Sequence, residues 1–385
     1  MKILLLTPIY HIEGRADLFH DSSAIHYLLS PLAKKHEIRV FDTYCSSIRE
    51  FLKPSGIKRL FKEKAFAYAK DGVNVDLLES RFLPKQVFFN YKQQRRVLFK
   101  LRKVVDEFRP EFIIVHFPTY YCGIIDQIKT DARIVSVLHK TDINRIKVFN
   151  HLKDYLNNSF SDIASRSKQI QIDARSSGIN VGDTIISSGI DIDERGVTVR
   201  NDKVRSFLYT GKLIKRKNVD VIIQAFSKLD DPSLTLKIIG DGKEFTKLKK
   251  FASENIIFTG TMPREKVFEE MKKADVFVMP SVQETFGLVY LEAMSQGCLT
   301  IGTKGEGIDG VIINNKNGFL VSPNTDDLFK TFKKILSMPN EEIEAISNAA
   351  IETAIDNSSS KASDRYEEFI TGINDSKESE LDERK

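Results

Sequence analysis

Two glutamates eight residues apart carry the strongest chemical signal in the chain, in the run Pro280-Ser-Val-Gln-Glu284-Thr-Phe-Gly-Leu-Val-Tyr-Leu-Glu292-Ala-Met-Ser-Gln-Gly297. The apolar stretch Val276 to Met279 reads as a buried strand, and Gly287 to Gln296 reads as a helix stopped by Gly297. Glu284 then falls at a strand-to-helix turn, and Glu292, just over one turn inside the helix, is within reach of the same crevice. In α/β sheets ligands bind beyond the carboxyl ends of the strands, and the free N–H groups of a helix start favour an anion. Carboxylates accept hydrogen bonds from hydroxyls while backbone amides face phosphates. A nucleotide sugar offers both groups.

Three further segments point to one diphosphate site. Gly211-Lys212-Leu-Ile-Lys215-Arg216-Lys217-Asn218 follows a strand and precedes a helix, which puts cations where a strand meets the crevice. It is not a P-loop, because no Gly-Lys-Ser/Thr closes it. Gly240-Asp-Gly242 permits close backbone approach to a ligand. Gly302-Thr-Lys-Gly305-Glu-Gly307-Ile-Asp-Gly310 is a glycine-rich turn that a phosphate or nucleobase could line. Each alone could be a turn that merely connects strands; their order beside the glutamate pair is the stronger signal. In the first half, His139 ends a strand and opens His139-Lys-Thr-Asp142, His116 ends the strand before it, and His11 and His20 lie near the first turn. Asp191-Ile-Asp193 has the DxD form of a cation site but falls in the turn between halves, where it reads as structural.

The elements that position these residues alternate. Strands are expected near Ile3 to Leu6, Ile38 to Asp42, Phe112 to Val115, Ile134 to Leu138 and Thr184 to Ile186, with helices near Ser22 to Lys34, Tyr91 to Phe108 and Ile143 to Leu156. The second half repeats the pattern: strands near Phe207 to Tyr209, Thr235 to Ile239, Ile256 to Phe258, Val276 to Met279, Leu299 to Ile301 and Gly318 to Val321. Its helices fall near Val219 to Lys228, Arg264 to Lys273 (Pro263 at the first helical position) and Leu288 to Gln296. Repeated βαβ units imply α/β architecture with parallel sheets covered on both faces. The polar stretch Gly189 to Lys203 reads as a hinge. The expected organisation is a domain over 1–195 and a second over 203–355. A C-terminal helix over 356–372 would pack back on the first domain, and a charged, disordered tail would occupy 373–385.

At 385 residues and 41% apolar content the chain can bury two cores. Cys45, Cys122 and Cys298 are widely spaced and suggest neither a disulfide framework nor a zinc site, which fits a reducing cytoplasm. The first apolar run ends at Pro8, too short to span a membrane, and no cleavage pattern follows. The net charge of +5 divides into +9 over residues 1–200 and −4 over the rest. Arg49 to Lys103 holds 15 basic and 5 acidic residues interleaved with aromatics. This is either a solvated helix face or a surface for anionic lipid head groups or an anionic acceptor. No RNA- or DNA-binding motif accompanies it, so nucleic acid is not an expected partner.

The chain resembles the retaining glycosyltransferases of the GT-B fold, glycosyltransferase family four. The resemblance rests on Glu284 and Glu292, Gly211-Lys212 with Lys217, Gly240-Asp-Gly242, Asn317-Gly-Phe-Leu-Val and Ser188-Gly-Ile-Asp191. It is close from about Thr184 to Asp327 and diffuse before that. It implies two Rossmann-like α/β domains with parallel sheets facing a central cleft, the first binding acceptor and the second binding a nucleoside diphosphate sugar. By resemblance, Lys212 and Lys217 neutralise the diphosphate, Glu292 binds the ribose hydroxyls, and Glu284 with the backbone of Phe286 and Gly287 holds the donor sugar. Gly211, Gly240, Gly242, Thr285 and Leu288 complete the donor set, and His139 supplies a donor-sugar contact. The catalytic group would then be His139, Glu284, Lys212 and Lys217, with Gly14, His11 and His20 on the acceptor side. Two departures stand out: Lys212 replaces the family's usual arginine, and the early glycine-rich loop is reduced to Ile12-Glu-Gly14-Arg.

The implied activity is sugar transfer with retention from a UDP-sugar to a glycan or lipid-linked glycan in surface polysaccharide biosynthesis, in the cytoplasm or peripherally at the inner membrane face. No cofactor or metal is expected, since lysines and a helix start can stabilise the leaving diphosphate. A dinucleotide oxidoreductase would share the architecture but needs a GxGxxG after the first strand, which is missing. A catalytically idle nucleotide- or glycan-binding relative would have lost Glu284, Glu292, Lys217 or His139.

Overall fold

Buried β-branched and leucine-rich runs form the centre of two parallel sheets. The computed structural model of the chain describes residues 1–10, 23–47, 65–82, 88–192, 199–200 and 202–372. Contacts divide it into two units: Met1–Arg166 with Ile170–Gly189 and the C-terminal helix Ser359–Thr371, and Ile190–Ser358 with Ser167–Gln169.

The first unit contains β1 (Lys2–Thr7), β2 (Glu37–Asp42), β3 (Cys45–Ser47), β4 (Ala65–Lys70), β5 (Val73–Leu78), β6 (Ser80–Phe82), β7 (Phe112–His116), β8 (Arg133–Leu138) and β9 (Asp162–Ser165). Seven of these form one sheet in the order β4-β5-β2-β1-β7-β8-β9, and β3 pairs with β6 separately. Ile3 to Leu6 are fully buried, as a central parallel strand covered on both faces requires. Every neighbouring pair in the large sheet is parallel except β4–β5. That hairpin turns on Asp71-Gly72, both at positive φ, the two-residue connection whose twist matches the strands. Helix Tyr91–Phe108 opens on an Asn90 capping box with Gln93 and buries Val97, Leu98, Leu101, Val104, Val105 and Phe108 at helical spacing. Helix Ser359–Thr371 packs on helix Ser23–Leu32 and on β7. Glu367 accepts from His36 at 2.6 Å and Lys35 at 3.1 Å, and the Thr371 carbonyl accepts from Arg133 at 3.1 Å.

The second unit contains β10 (Ser206–Thr210), β11 (Thr235–Ile239), β12 (Ile256–Gly260), β13 (Val276–Val278), β14 (Leu299–Thr303) and β15 (Phe319–Val321). They form one parallel sheet in the order β12-β11-β10-β13-β14-β15. Its core includes Phe207 packed edge-on to Phe226 and Phe332. Arg200 is buried and donates to the carbonyls of Met271, Lys272, Ala274 and Gln296, satisfying acceptors that the helix ends leave open.

Several expectations need correction. Thr184 to Ile186 is no strand; Ile185 makes a single bridge to Ser165, and the edge strand is β9. The pattern over Ile143 to Leu156 divides into helices Lys140–Ile146 and His151–Ser159. Pro263 is the N-cap of helix Arg264–Lys273 rather than its first helical residue. Helix Thr325–Leu336, capped by Asn324, and the β4–β5 hairpin were not anticipated. The tail 373–385 and the whole of 49–64 lie outside the described residues.

Candidate active site

In the second unit, the chain leaving β10 turns at Gly211, passes through the short 3₁₀ segment Lys215–Lys217, and enters helix Val219–Ser227 at Asn218. The neighbouring β11 ends in Gly240-Asp-Gly242, and the two loops lie backbone on backbone. Gly211 N–H donates to the Ile239 carbonyl at 3.0 Å, and Leu213 N–H to that of Asp241 at 2.9 Å. A Cβ on Gly240 would lie 1.9 Å from the Gly211 carbonyl oxygen, and one on Gly242 would lie 2.3 Å from that of Leu213. The glycines at 240 and 242 are therefore required by loop-on-loop packing, a cause that differs from the direct ligand approach read from the sequence. The third glycine loop behaves similarly: a Cβ on Gly307 would sit 2.2 Å from the Thr285 carbonyl oxygen.

The first and third of these loops meet at Glu284, which follows β13. Its carboxylate accepts from Lys217 at 2.5 Å and from Arg216, and its N–H donates to Glu306 at 3.0 Å. Gln283, just before it, has φ 59°, a left-handed conformation that few residues other than glycine and asparagine take up readily. Burial pulls the Lys217 pKa down, Arg216 adds to that, and the attraction of Glu284 opposes both. The cluster thus holds two cations against one carboxylate at the carboxyl ends of adjacent strands, where an anionic ligand can exchange for the carboxylate.

Glu292 lies in helix Leu288–Ser295, which starts at Gly287 with φ 87°. A Cβ at Gly287 would also clash with the Tyr290 ring at 2.7 Å. The Glu292 carboxylate is largely covered and accepts from Arg264 at 2.9 Å. Burial raises its pKa, more than the Arg264 charge lowers it. Glu284 is paired with Lys217 and Arg216, and Glu292 with Arg264. Lys212 is exposed, and its carbonyl accepts from the Tyr209 hydroxyl at 3.1 Å. Phe286 is buried, while Thr285 and Leu288 are partly covered. Asp191 lines a cleft with Arg264, Glu265, Phe268 and Lys272, while Asp193 lies outside the described residues.

In the first unit, His116, His139 and Arg166 stand at the carboxyl ends of β7, β8 and β9. His139 caps helix Lys140–Ile146. Its N–H donates to Asp142 at 2.8 Å, and Asp142 also accepts from the backbone and hydroxyl of Thr119. Burial pushes Asp142 up to about 6 against those hydrogen bonds. The His139 ring stacks on Phe117 with centroids 3.5 Å apart. Gly14, His11 and His20 lie outside the described residues.

Sequence reasoning missed Arg216 and Arg264 as partners of the glutamates, Glu306 as the acceptor of the Glu284 N–H, and Tyr366 as the partner of His116. Arg216 stood inside the quoted basic loop, so its part was legible as charge but not as a contact. Arg264 and Tyr366 are brought in by packing between elements distant in sequence, which no local pattern announces.

Residues 191–353, within the second unit, match the model of the glycosyl transferases group 1 family. The chain is 34% identical over 149 residues to the sulfoquinovosyl transferase SQD2 of Arabidopsis thaliana, covering 38% of this chain and 29% of that protein. It is 25% identical over 244 residues to the N-acetyl-alpha-D-glucosaminyl L-malate synthase of Bacillus anthracis, covering 57% of this chain and 64% of that protein. The chain thus spans less than two thirds of either relative. In fold it is similar to Anabaena Alr3699/HepE, solved in complex with UDP and glucose. The TM-score is 0.66 at 17% identity, over 97% of this chain and 100% of the other. The two parallel-sheet α/β units are those of the GT-B fold.

Proposed function

We propose that the protein is a retaining glycosyltransferase that moves a sugar from a nucleoside diphosphate donor, a UDP-sugar in our reading, to a hydroxyl of a glycan or lipid-linked glycan in cell-surface polysaccharide assembly. The observation that carries this is the Lys217–Arg216–Glu284 cluster at the carboxyl ends of β10 and β13, inside the region matching the glycosyl transferases group 1 family. In the reading, the donor diphosphate takes the cations that Glu284 holds in the free protein. Lys217 and exposed Lys212 then stabilise charge growing on the leaving group, and Glu284 is released to the donor sugar. Glu292 exchanges Arg264 for the ribose hydroxyls. Thr285, Phe286, Gly287 and Leu288 supply the helix start beside the phosphates, and His139 contacts the donor sugar. The departing phosphate accepts the acceptor proton on the same face, giving retention. No divalent metal or cofactor enters this scheme.

Surface charge supports the acceptor class. Helix Tyr91–Phe108 exposes Lys92, Arg95, Arg96, Lys100 and Lys103 beside Tyr91 and Phe99, the latter 69% exposed, and this face suits anionic head groups around a lipid-linked acceptor. No helix among the described residues is long and apolar enough to cross a membrane. A panel of nucleoside diphosphate sugars incubated without acceptor tests the proposal. Slow release of nucleoside diphosphate from a UDP-sugar is expected, and silence across the panel with retained nucleotide binding would make the protein an idle relative.

A further inference from the structure

We propose that Tyr366 of the C-terminal helix is a positioning residue that fixes the tautomer of His139 through His116. Its importance for catalysis rests on the reading of His139 as a donor-sugar contact; the tautomer itself can be measured without that reading.

The chain of contacts is continuous. His116 Nδ1 lies 3.0 Å from His139 Nε2, and His116 Nε2 lies 2.7 Å from the Tyr366 hydroxyl. His116 and Tyr366 are fully buried and His139 is 6% exposed. Burial first favours neutral rings at both histidines; the nearby buried Arg166 adds to this at His116, and His116 and then Arg166 add to it at His139. Each neutral ring carries one proton, so the two hydrogen bonds must run in the same sense along the chain.

That sense is decided at the tyrosine. Among the described residues the Tyr366 hydroxyl makes one hydrogen bond, to His116, so its proton goes to His116 Nε2. His116 then carries its proton on Nδ1 and donates to His139 Nε2. His139 is left with its proton on Nδ1, as a hydrogen-bond donor rather than a base. The ring plane is held separately: Phe117 stacks on it at a 16° interplanar angle and does so at φ 56°, a strained conformation for an aromatic residue. The tautomer, by contrast, depends on a helix some 220 residues further along the chain, through one hydroxyl.

Nitrogen-15 NMR of the seven histidines in the full chain, with His116→Gln used for assignment, tests the proposal. In the wild type, His139 is expected as a single Nδ1–H tautomer. Tyr366→Phe keeps the ring packing and should convert that signal to a mixture, with kcat falling roughly 10- to 100-fold and donor KM nearly constant. An Nε2–H tautomer or an equal mixture in the wild type, or an unchanged His139 signal in Tyr366→Phe, would overturn the assignment. Should Tyr366→Phe not fold, the wild-type spectrum decides alone. A shifted tautomer with unchanged turnover would uphold the relay and remove His139 from the reaction.

Discussion

Lys217 and Glu284 meet at 2.5 Å across the ends of neighbouring strands β10 and β13, with side chains only 12% and 13% exposed. A lone lysine or carboxylate so covered would be costly to keep charged, and pairing makes the arrangement tenable. Each partner is also a group that the proposed reaction uses, so the free protein holds its leaving-group cation on its sugar-binding carboxylate. Binding and chemistry are then linked by one exchange of partners.

Lys217→Met keeps the aliphatic stem and removes the charge. Because leaving-group charge grows toward the transition state, kcat should fall by about 10²- to 10³-fold while donor KM rises much less. Steady-state kinetics with a saturating acceptor read the split. A KM effect alone would restrict Lys217 to ground-state binding.

Glu292 makes a pH prediction. Its folded-state pKa is raised, chiefly by burial, so the folded protein binds this proton more tightly than the unfolded chain. The resulting stability is fully present below the ordinary carboxylate pKa and is lost as pH rises through the folded value. Glu292→Gln mimics the protonated form and should remove this loss. Its Tm relative to wild type should therefore be higher at neutral pH than at acid pH. A difference that is flat with pH, or of opposite slope, would contradict the assigned environment.

Gly240→Ala separates loop packing from backbone strain. The added Cβ would meet the Gly211 carbonyl at 1.9 Å, with φ at 138°, so roughly 3 kcal/mol or more of destabilisation is expected in chemical denaturation. Gly178→Ala, at φ 82° with nothing within 4 Å of the new Cβ, should cost only about 1 kcal/mol. Equal losses at both sites would mean that the two loops are not locked together as described.

If the exposed face of helix Tyr91–Phe108 meets anionic lipid, the protein should sediment with vesicles containing phosphatidylserine and release as salt rises, since exposed charges are screened over about 8 Å at physiological ionic strength. Replacing Arg95, Arg96 and Lys100 by Ser should weaken sedimentation without changing nucleotide affinity. Equal behaviour with neutral and anionic vesicles would return the face to ordinary solvent exposure.

The sheets were legible where hydrophobic periodicity is strong: Ile3 to Leu6 and Val276 to Met279 are continuous apolar runs, and each lies at the middle of a parallel sheet. Asp71-Gly72 is a recognisable hairpin turn signal, but it lies in a stretch dominated by basic residues rather than by clear strand alternation. Thr184 to Ile186 looked like a strand because β propensity cannot tell a ladder from a single bridge. Glu284 and Lys217 were readable as residue types at strand ends. Their direct pairing was not, because it joins two loops 67 positions apart. The glycines at 240 and 242 read as permitting close approach of a ligand, whereas what approaches them is the backbone of Gly211 and Leu213, which only tertiary structure supplies.

Calorimetric titration of UDP into the full chain in EDTA, comparing wild type with Glu292→Ala, tests the central claim most directly. The account predicts saturable binding without divalent metal. It further predicts affinity weaker by about one to two orders of magnitude in the variant, the value of a charge-assisted hydrogen bond to the ribose. No binding of UDP or any other nucleoside diphosphate by the wild type, or equal affinity in the two proteins, would contradict it.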